Sequence, residues 1–176
     1  MRNLYSKIEL FSNIAIIAVA LLLGAALVNR YFLNYYVPQT AQAKSPGIKP
    51  GTALSLPDAD WNKNEKTLVV ALSTTCRYCT ESVPFYKRLA QQKAGRGDLK
   101  ITAVLPQSAD EARRYLSEHN VSVDEIKQAD LPEVRGTPTL IIVDKNGSVL
   151  ESWVGKLPPE KETEVMNRFF GESSGS

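Results

Sequence analysis

The chain has 176 residues, of which 43% are hydrophobic and 23% charged, and its formal net charge is +2 at pH 7. This length suits one domain of about 120–130 residues with additional segments. Outside residues 1–30 the acidic and basic residues are equal in number. The composition therefore excludes the strongly basic surface that is typical of proteins that bind nucleic acid.

An uncharged apolar segment lies near the N-terminus. Residues 10–29 consist mainly of Ile, Ala, Leu and Val, and about 20 such residues cross the hydrocarbon core of a bilayer as one helix. Aromatic residues follow at once, as at a membrane interface. A cleaved signal peptide is the alternative, because Ala41-Gln42-Ala43 resembles a cleavage site, but this site lies far beyond the apolar run. We predict an uncleaved anchor at residues 10–29 after a cytoplasmic tail at residues 1–9.

A segment with several prolines and glycines separates this anchor from the rest of the chain. Residues 30–52 also contain Ala, Gln, Lys and Ser, which predicts a tether without a core of its own. The predicted domain covers residues 53–171, and a flexible tail follows at residues 172–176. At its start, residues 53–56 could form a short edge strand, and Trp61 is predicted to pack against the sheet.

The only two cysteines, Cys76 and Cys79, form a C-x-x-C pair between a predicted strand and a predicted helix. Residues 67–73 indicate a buried strand because they are apolar and partly β-branched. Residues from about 80 to 93 indicate a helix with one apolar face. This order sets Cys76 at a helix N-terminus, where unpaired N–H groups and the helix dipole stabilise a thiolate.

Such a pair predicts thiol–disulfide exchange. A thiolate attacks a disulfide, and a second thiol resolves the resulting mixed disulfide. Cys76 is the candidate nucleophile because it lies at the open end of the helix, and Cys79 is the candidate resolving thiol. Arg77 adds a positive charge that we expect to lower the Cys76 pKa, with a solvated surface charge as the alternative. Tyr78 is a candidate for the docking surface.

The remaining predicted elements alternate between strands and helices. They are a strand at 99–105, a helix from the N-cap Ser108 to about His119, an ambiguous stretch at 121–130, a strand at 139–144, a hairpin turn at Asn146-Gly147, a strand at 148–154, and a helix from Pro158-Pro159 onwards. The order is β-α-β-α-β-β-α, with the last two strands antiparallel. It predicts an α/β fold with its sheet covered on both faces.

This order resembles the thioredoxin fold, and separate motifs agree with it. Pro84 follows the cysteine pair, as does the proline that kinks the active-site helix in that family. Gly136-Thr137-Pro138-Thr139 resembles the cis-proline loop, and Asp144-Lys145-Asn146-Gly147 the hairpin after it. With the anchor and tether, the chain is most similar to membrane-tethered thiol–disulfide oxidoreductases of the TlpA/ResA type, over residues 53–170.

The resemblance implies a central mixed sheet flanked by helices, preceded by one transmembrane helix. It implies that Pro138 is cis and faces the cysteines, and that the backbone of Thr137 pairs with an extended substrate segment. Substrates would be protein thiols and disulfides, a membrane partner would donate or accept electrons, and no cofactor or metal is needed. The family implies a reductant, for apocytochrome c or another exported protein. Because a stabilised thiolate makes a protein more oxidising, an oxidase role stays open.

The sequence departs from the family at three positions around the cysteines. Thr75 stands where relatives usually have Trp, and Val70 where many thioredoxins carry a buried acid. Ser82 stands where ResA-type members carry Glu, which here is Glu81, one position earlier. A shift of one residue turns a helical side chain by about 100°. Glu81 is therefore a candidate proton acceptor for Cys79, with a solvent-facing side chain as the alternative.

Two other functions on the same fold are weighed against this interpretation. A peroxiredoxin-like peroxidase requires Pro and Thr where this chain has Val69 and Ser73. A copper-delivery module usually adds a histidine ligand, but His119 is predicted to be a surface or capping residue. We predict a single-pass protein of the cell inner membrane with its domain in the periplasm, because redox-active pairs on tethered domains serve oxidising compartments. The charges flanking the apolar run are nearly balanced and do not set this orientation.

Overall fold

A five-stranded mixed sheet is the centre of residues 47–171, which are the residues that the computed structural model describes. Its order is β3-β2-β1-β4-β5, with β1 parallel to β2, β2 parallel to β3, and β4 antiparallel to both β1 and β5. The predicted mixed sheet and its antiparallel final pair are confirmed. The strands are β1 (Lys66–Ala71), β2 (Leu99–Leu105), β3 (Glu125–Gln128), β4 (Thr139–Asp144) and β5 (Val149–Val154).

The single helix predicted after the first cysteine is in fact two helices. They are α1 (Arg77–Glu81) and α2 (Val83–Lys93), and Ser82 lies between them. The Ser82 N–H still bonds back to α1, to the carbonyls of Tyr78 and Cys79 at 3.1 and 3.2 Å. Pro84 in the first turn of α2 has no N–H to continue that ladder, and its ring crowds the preceding turn. The helix therefore begins earlier than predicted and breaks before the proline.

The later elements follow the sequence pattern closely. The bounds of β2 and β4 are those predicted, and the ambiguous stretch 121–130 contains the short strand β3. The predicted edge strand at 53–56 is reduced to a single bridge between Ala53 and Ser148. The remaining helices are α3 (Ala109–Glu118) and α4 (Pro159–Phe170), and a short 3-10 helix spans Trp61–Lys63.

Two hydrophobic cores cover the two faces of the sheet, as the element order predicts. Alternate residues of β1 point to opposite faces. Leu68 and Val70 enter the helix-side core, which contains every buried residue of the four α-helices. Val69 and Ala71 enter the loop-side core, which segments 48–61 and 129–134 cover. The helices between β1 and β3 share one face because right-handed β1→β2 and β2→β3 crossovers step in the same direction across the sheet.

The N-terminal edge of the described chain is attached to the sheet. The Gly51 N–H donates to the Val149 carbonyl and the Val149 N–H to the Thr52 carbonyl, both at 2.8 Å. Ile48 packs against the loop-side core. Within residues 47–171 no helix is both long and apolar enough to cross a membrane. The predicted tail, the anchor at 10–29, most of the tether and residues 172–176 lie outside the described residues.

Candidate active site

The sheet register brings the cysteine segment and the proline loop to one place. Ala71 at the end of β1 pairs with Thr139 at the start of antiparallel β4. The chain leaving β1 therefore reaches Cys76 beside the chain that enters β4 through Thr137 and Pro138. The Thr137–Pro138 peptide bond is cis, and the Cys76 thiol donates a hydrogen bond to the Thr137 carbonyl at 3.2 Å.

Cys76 is the N-cap residue of α1. Its extended backbone conformation starts the helix, and its sulfur accepts the Cys79 N–H at 3.3 Å. This is the position where an anion is favoured, because the first N–H groups of a helix lack intrahelical partners. Burial by itself raises the Cys76 pKa, but hydrogen bonds from the side chains of Cys79 and Thr137 and from nearby backbone N–H groups outweigh it. The pKa of Cys76 therefore lies below its ordinary value.

Cys79 differs sharply from Cys76 in its surroundings. It is fully buried in the helix-side core, whereas Cys76 is half-buried. Burial is the main reason that the pKa of Cys79 is raised to about 12, and its hydrogen bond to Cys76 adds to the effect. At neutral pH, the Cys76 thiol can ionise and is accessible to a substrate, whereas the Cys79 thiol is buried and protonated.

The proline loop is fixed from both sides. The Gly155 N–H, just after β5, donates to the Pro138 carbonyl at 2.7 Å. The Thr139 hydroxyl donates to the Gly136 carbonyl at 2.7 Å. Pro138 is buried and Thr137 partly exposed, so the loop presents the Thr137 backbone next to Cys76. The sequence pattern gave no signal that Gly155 would hold this loop.

Arg77 and Glu81 contact each other on the outer face of α1. The Arg77 guanidinium donates to one Glu81 oxygen at 2.7 Å, and the Lys156 ammonium to the other at 2.9 Å. These two cations hold the Glu81 pKa below its ordinary value. The structure thus places both Glu81 oxygens on cations, and Arg77 beside Glu81 rather than on a thiol. Lys156 was missed by the sequence analysis because it lies far away along the chain.

Tyr78 is one of the most exposed large hydrophobic residues of the described chain. Its side chain is 45% exposed and lies between the two cysteines in sequence. An exposed aromatic ring beside a reactive thiol offers apolar contact area to a docking polypeptide. The role of Tyr78 in a docking surface stays a prediction, with which this exposure is compatible.

Polar side chains from α3 and the loop before it hold the segment that leads to Cys76. Gln107 accepts the Thr74 N–H at 3.4 Å and donates to the Ser73 hydroxyl at 3.1 Å. The Thr74 hydroxyl donates to Glu111 at 2.6 Å. Ser108 caps α3 by accepting the Glu111 N–H at 3.3 Å, as predicted. The carboxylate of Glu111 thus reaches the active-site loop, a contact that the capping pattern did not indicate.

His119 is a residue at the end of α3 that packs on an aromatic side chain. It follows α3, and its ring packs edge-on against Tyr115 with 4.7 Å between centroids. Within residues 47–171, no group of three or more His, Cys, Asp or Glu side chains is arranged to hold a metal ion.

Comparison with known protein families identifies the family to which the chain belongs. A family model described as a thioredoxin-like domain matches residues 61–170. The chain belongs to the thioredoxin-like family. This confirms the family that the motifs indicate. None of the curated proteins matches the chain significantly.

Solved structures with the same fold support the thioredoxin-like architecture. A thiol:disulfide interchange protein of the thioredoxin family from Chlorobium tepidum superposes with a TM-score of 0.53 at 17% identity, covering 72% of this chain and 100% of that one. A thiol-disulfide isomerase from Corynebacterium glutamicum gives 0.52 at 10% identity, covering 73% and 97%. At these identities the similarity shows the fold.

Family and site together define the chemistry of this thioredoxin-like chain. The matched domain contains a C-x-x-C pair whose two sulfur environments differ. A reactive thiol with a second thiol within one helical turn is the minimal apparatus for exchanging disulfides. The chain is a thiol–disulfide oxidoreductase.

Proposed function

We propose that this thioredoxin-like chain is a membrane-tethered reductant of protein disulfides outside the cytoplasm, with Cys76 as nucleophile and Cys79 as resolving thiol. One observation carries this proposal. Cys76 is a half-buried thiol with a lowered pKa, and Cys79, three residues later, is a buried thiol with a raised pKa. This asymmetry assigns the first attack to Cys76 and leaves Cys79 protonated until a mixed disulfide has formed.

The reaction balances with two thiols and one disulfide. The Cys76 thiolate attacks a substrate disulfide, and the first substrate sulfur leaves and takes up a proton. Cys79 then loses its proton and attacks the Cys76 sulfur, which releases the second substrate thiol. The substrate gains two electrons and two protons, and the chain keeps a Cys76–Cys79 disulfide. A dithiol on a membrane partner restores the reduced pair by the reverse exchange.

Docking of an extended substrate segment is proposed at the proline loop. The Thr137 backbone lies beside the Cys76 sulfur, so a peptide paired with it would bring its own sulfur into line for exchange. Thr137 and Pro138 are thus the proposed substrate-binding residues, and the exposed Tyr78 is proposed to add apolar contact. The Thr137 carbonyl must give up its bond to the Cys76 thiol when that thiol ionises.

Three features of the site favour a reductant over an oxidant. A strongly oxidising pair needs a strongly stabilised thiolate. Here burial opposes ionisation of Cys76, and the Thr137 carbonyl binds its protonated form. The Arg77 charge is paired with Glu81, which reduces its effect on the sulfur. These features support the proposed reducing direction.

The membrane part of the proposal rests on the sequence. Residues 10–29 would anchor the chain in the inner membrane as a single span, and the tether would hold the domain in the periplasm near its electron donor. The compartment follows from the need for exported disulfide-containing substrates.

The reduction potential of the chain tests the proposed direction. The purified protein is equilibrated in glutathione and dithiothreitol buffers, and the fraction of Cys76–Cys79 disulfide is measured. We expect a value near that of thioredoxin, about −270 mV. A value near the strongly oxidising end, about −120 mV, would overturn the reductant proposal. The Cys79→Ser variant is the control, because it cannot form the internal disulfide.

A further inference from the structure

The resolving step requires a group that stabilises the Cys79 thiolate. Cys79 must become a thiolate inside an apolar core, where an unpaired charge is costly. Val70 stands where many thioredoxins carry a buried acid and is itself buried. Glu81 is held by Arg77 and Lys156. Hydrogen bonds from the Ser73 backbone and the Thr137 side chain favour the Cys79 thiolate, but its pKa is still raised to about 12. A further group that stabilises the thiolate would therefore have to come from the helix-side core.

Tyr86 supplies a polar group in that core. The residue is 4% exposed, and its hydroxyl is a buried side-chain atom without a hydrogen-bond partner among the described residues. Leaving such a hydroxyl unsatisfied is energetically costly, so a buried hydroxyl without a partner calls for an explanation. The Ser82 hydroxyl lies close enough to lower the Tyr86 pKa, but it donates its proton to the Tyr78 carbonyl at 2.8 Å and forms no hydrogen bond of normal geometry with the Tyr86 hydroxyl.

The fold places Tyr86 on the same side of the helices as Cys79. Cys79 in α1, Ser82 at the break and Tyr86 in α2 are all buried, and Cys79 and Tyr86 belong to the same helix-side core. Burial raises the pKa of Tyr86, and a negative charge on Cys79 raises it further. The hydroxyl therefore stays protonated, and it feels the charge that develops on the resolving sulfur.

We propose that the Tyr86 hydroxyl is a positioning residue for the resolving step, which donates a hydrogen bond to the Cys79 thiolate as it forms. This inference rests on the proposed roles of Cys76 and Cys79. Tyr86 keeps its proton throughout. The proton that Cys79 loses passes to solvent, the leaving substrate thiolate takes one up, and the S–S bond moves from Cys76–substrate to Cys76–Cys79. In the resting reduced protein, the Tyr86 hydroxyl has no hydrogen-bond partner among the described residues.

A two-phase exchange reaction separates the two steps. Reduced protein is mixed with excess dithiobis(nitrobenzoate), and absorbance follows the released thionitrobenzoate. The first release reports attack by Cys76, and the second reports resolution by Cys79. We expect Tyr86→Phe to leave the first rate unchanged and to slow the second roughly tenfold at pH 7, with its pH midpoint raised by about one unit. The other titratable groups facing this pair are Cys76 and Tyr115.

The stability of Tyr86→Phe distinguishes the proposed role of the hydroxyl from a purely structural one. Tyr86→Phe removes only an unsatisfied hydroxyl, so its urea midpoint should equal or exceed that of the wild type. Tyr115→Phe is the matched control, because its buried hydroxyl already has a partner in Thr80 at 3.3 Å. We expect this variant to keep both release rates. Should Tyr86→Phe fold poorly, fluorotyrosine at position 86 keeps the shape with a stronger donor and should speed the second release.

The outcomes distinguish this inference from the proposed function. An unchanged second release in Tyr86→Phe, or equal slowing of both releases, would overturn the role of Tyr86. A second release that persists in Cys79→Ser would instead overturn the proposed resolving thiol. With fluorotyrosine, an unchanged second rate would likewise count against the hydrogen bond.

Discussion

At the scale of single residues, the two thiols should differ in their response to pH. The Cys76 pKa lies below its ordinary value and that of Cys79 is about 12. Since only the thiolate is alkylated, we expect iodoacetamide to modify Cys76 alone, with a midpoint below that of free cysteine, about 8.5. The rate falls as pH drops through the Cys76 pKa. Mass spectrometry of the reduced protein identifies the modified residue.

The control for this measurement is Cys76→Ser, in which Cys79 remains buried and should stay unmodified at neutral pH. Equal modification of both cysteines in the wild type would contradict the assigned roles.

Glu81 provides a second prediction at this scale, because it neutralises cations near the nucleophile. Glu81→Gln leaves Arg77 and Lys156 without their shared carboxylate. We expect the alkylation midpoint of Cys76 to fall by a fraction of a pH unit, and added salt to reduce this change because the groups are exposed. Glu118→Gln, at the end of α3, is the control. Slower release by Cys79 with an unchanged Cys76 midpoint would instead support Glu81 as a proton acceptor.

At the scale of elements, the turn after β5 fixes the proline loop. Gly155 has φ 87° and donates its N–H to the Pro138 carbonyl. A side chain in left-handed backbone costs about 1–2 kcal/mol, so we expect Gly155→Ala to lower the free energy of unfolding by this amount. Because the loop carries Thr137, attack by Cys76 on a protein disulfide should also slow. Urea denaturation and the exchange rate measure the two effects.

Gly97→Ala is the matched control for this turn. A Cβ added at Gly97 meets no atom within 4 Å, and Gly97 is not among the glycines with positive φ. We expect it to change neither stability nor rate. An equal loss in both variants would show that the Gly155 turn does not matter specifically.

How much of these elements the sequence reveals depends on the range of the interactions that form them. β4 is a continuous apolar run between Thr139 and Asp144, and β2 is mainly apolar apart from Lys100 and Thr102, so local composition indicated their bounds. The break at Ser82 depends on Pro84 and on which backbone groups find partners, and the prediction missed it. The coverage of the loop-side core by segments 48–61 and 129–134 depends on crossover direction, which no single segment encodes.

The residues of the active site also differ in how far the sequence reveals them. Cys76, Cys79 and Pro138 belong to short motifs that a sequence displays directly. Lys156 and Gly155 act on α1 and on the proline loop from beyond β5, and only the folded chain brings them there. The unpaired hydroxyl of Tyr86 is invisible to pattern analysis, because an apolar helix position accepts a tyrosine whether or not its oxygen has a partner.

At the scale of the whole molecule, redox state and stability are linked. If the pair is reducing, its disulfide is more stable in the folded than in the unfolded chain. We therefore expect the oxidised protein to unfold at a higher urea concentration than the reduced protein. A strong oxidant shows the reverse order, because its reduced form is the more stable one. Parallel urea titrations with and without reductant measure the difference.

The control for these titrations is Cys79→Ser, whose unfolding should not depend on reductant. A reduced form more stable than the oxidised form would contradict the proposed direction.

The two edges of the sheet carry a consequence for how copies of the chain behave when crowded. Residues 51–53 pair with the start of β5, and the Lys127 ammonium on the edge strand β3 binds the carbonyls of Pro57 and Asp58 at 3.1 and 2.8 Å. Covered and charged edges resist edge-to-edge aggregation. Pairing of another chain, or of a second copy of this one, with either edge of the sheet is thereby hindered.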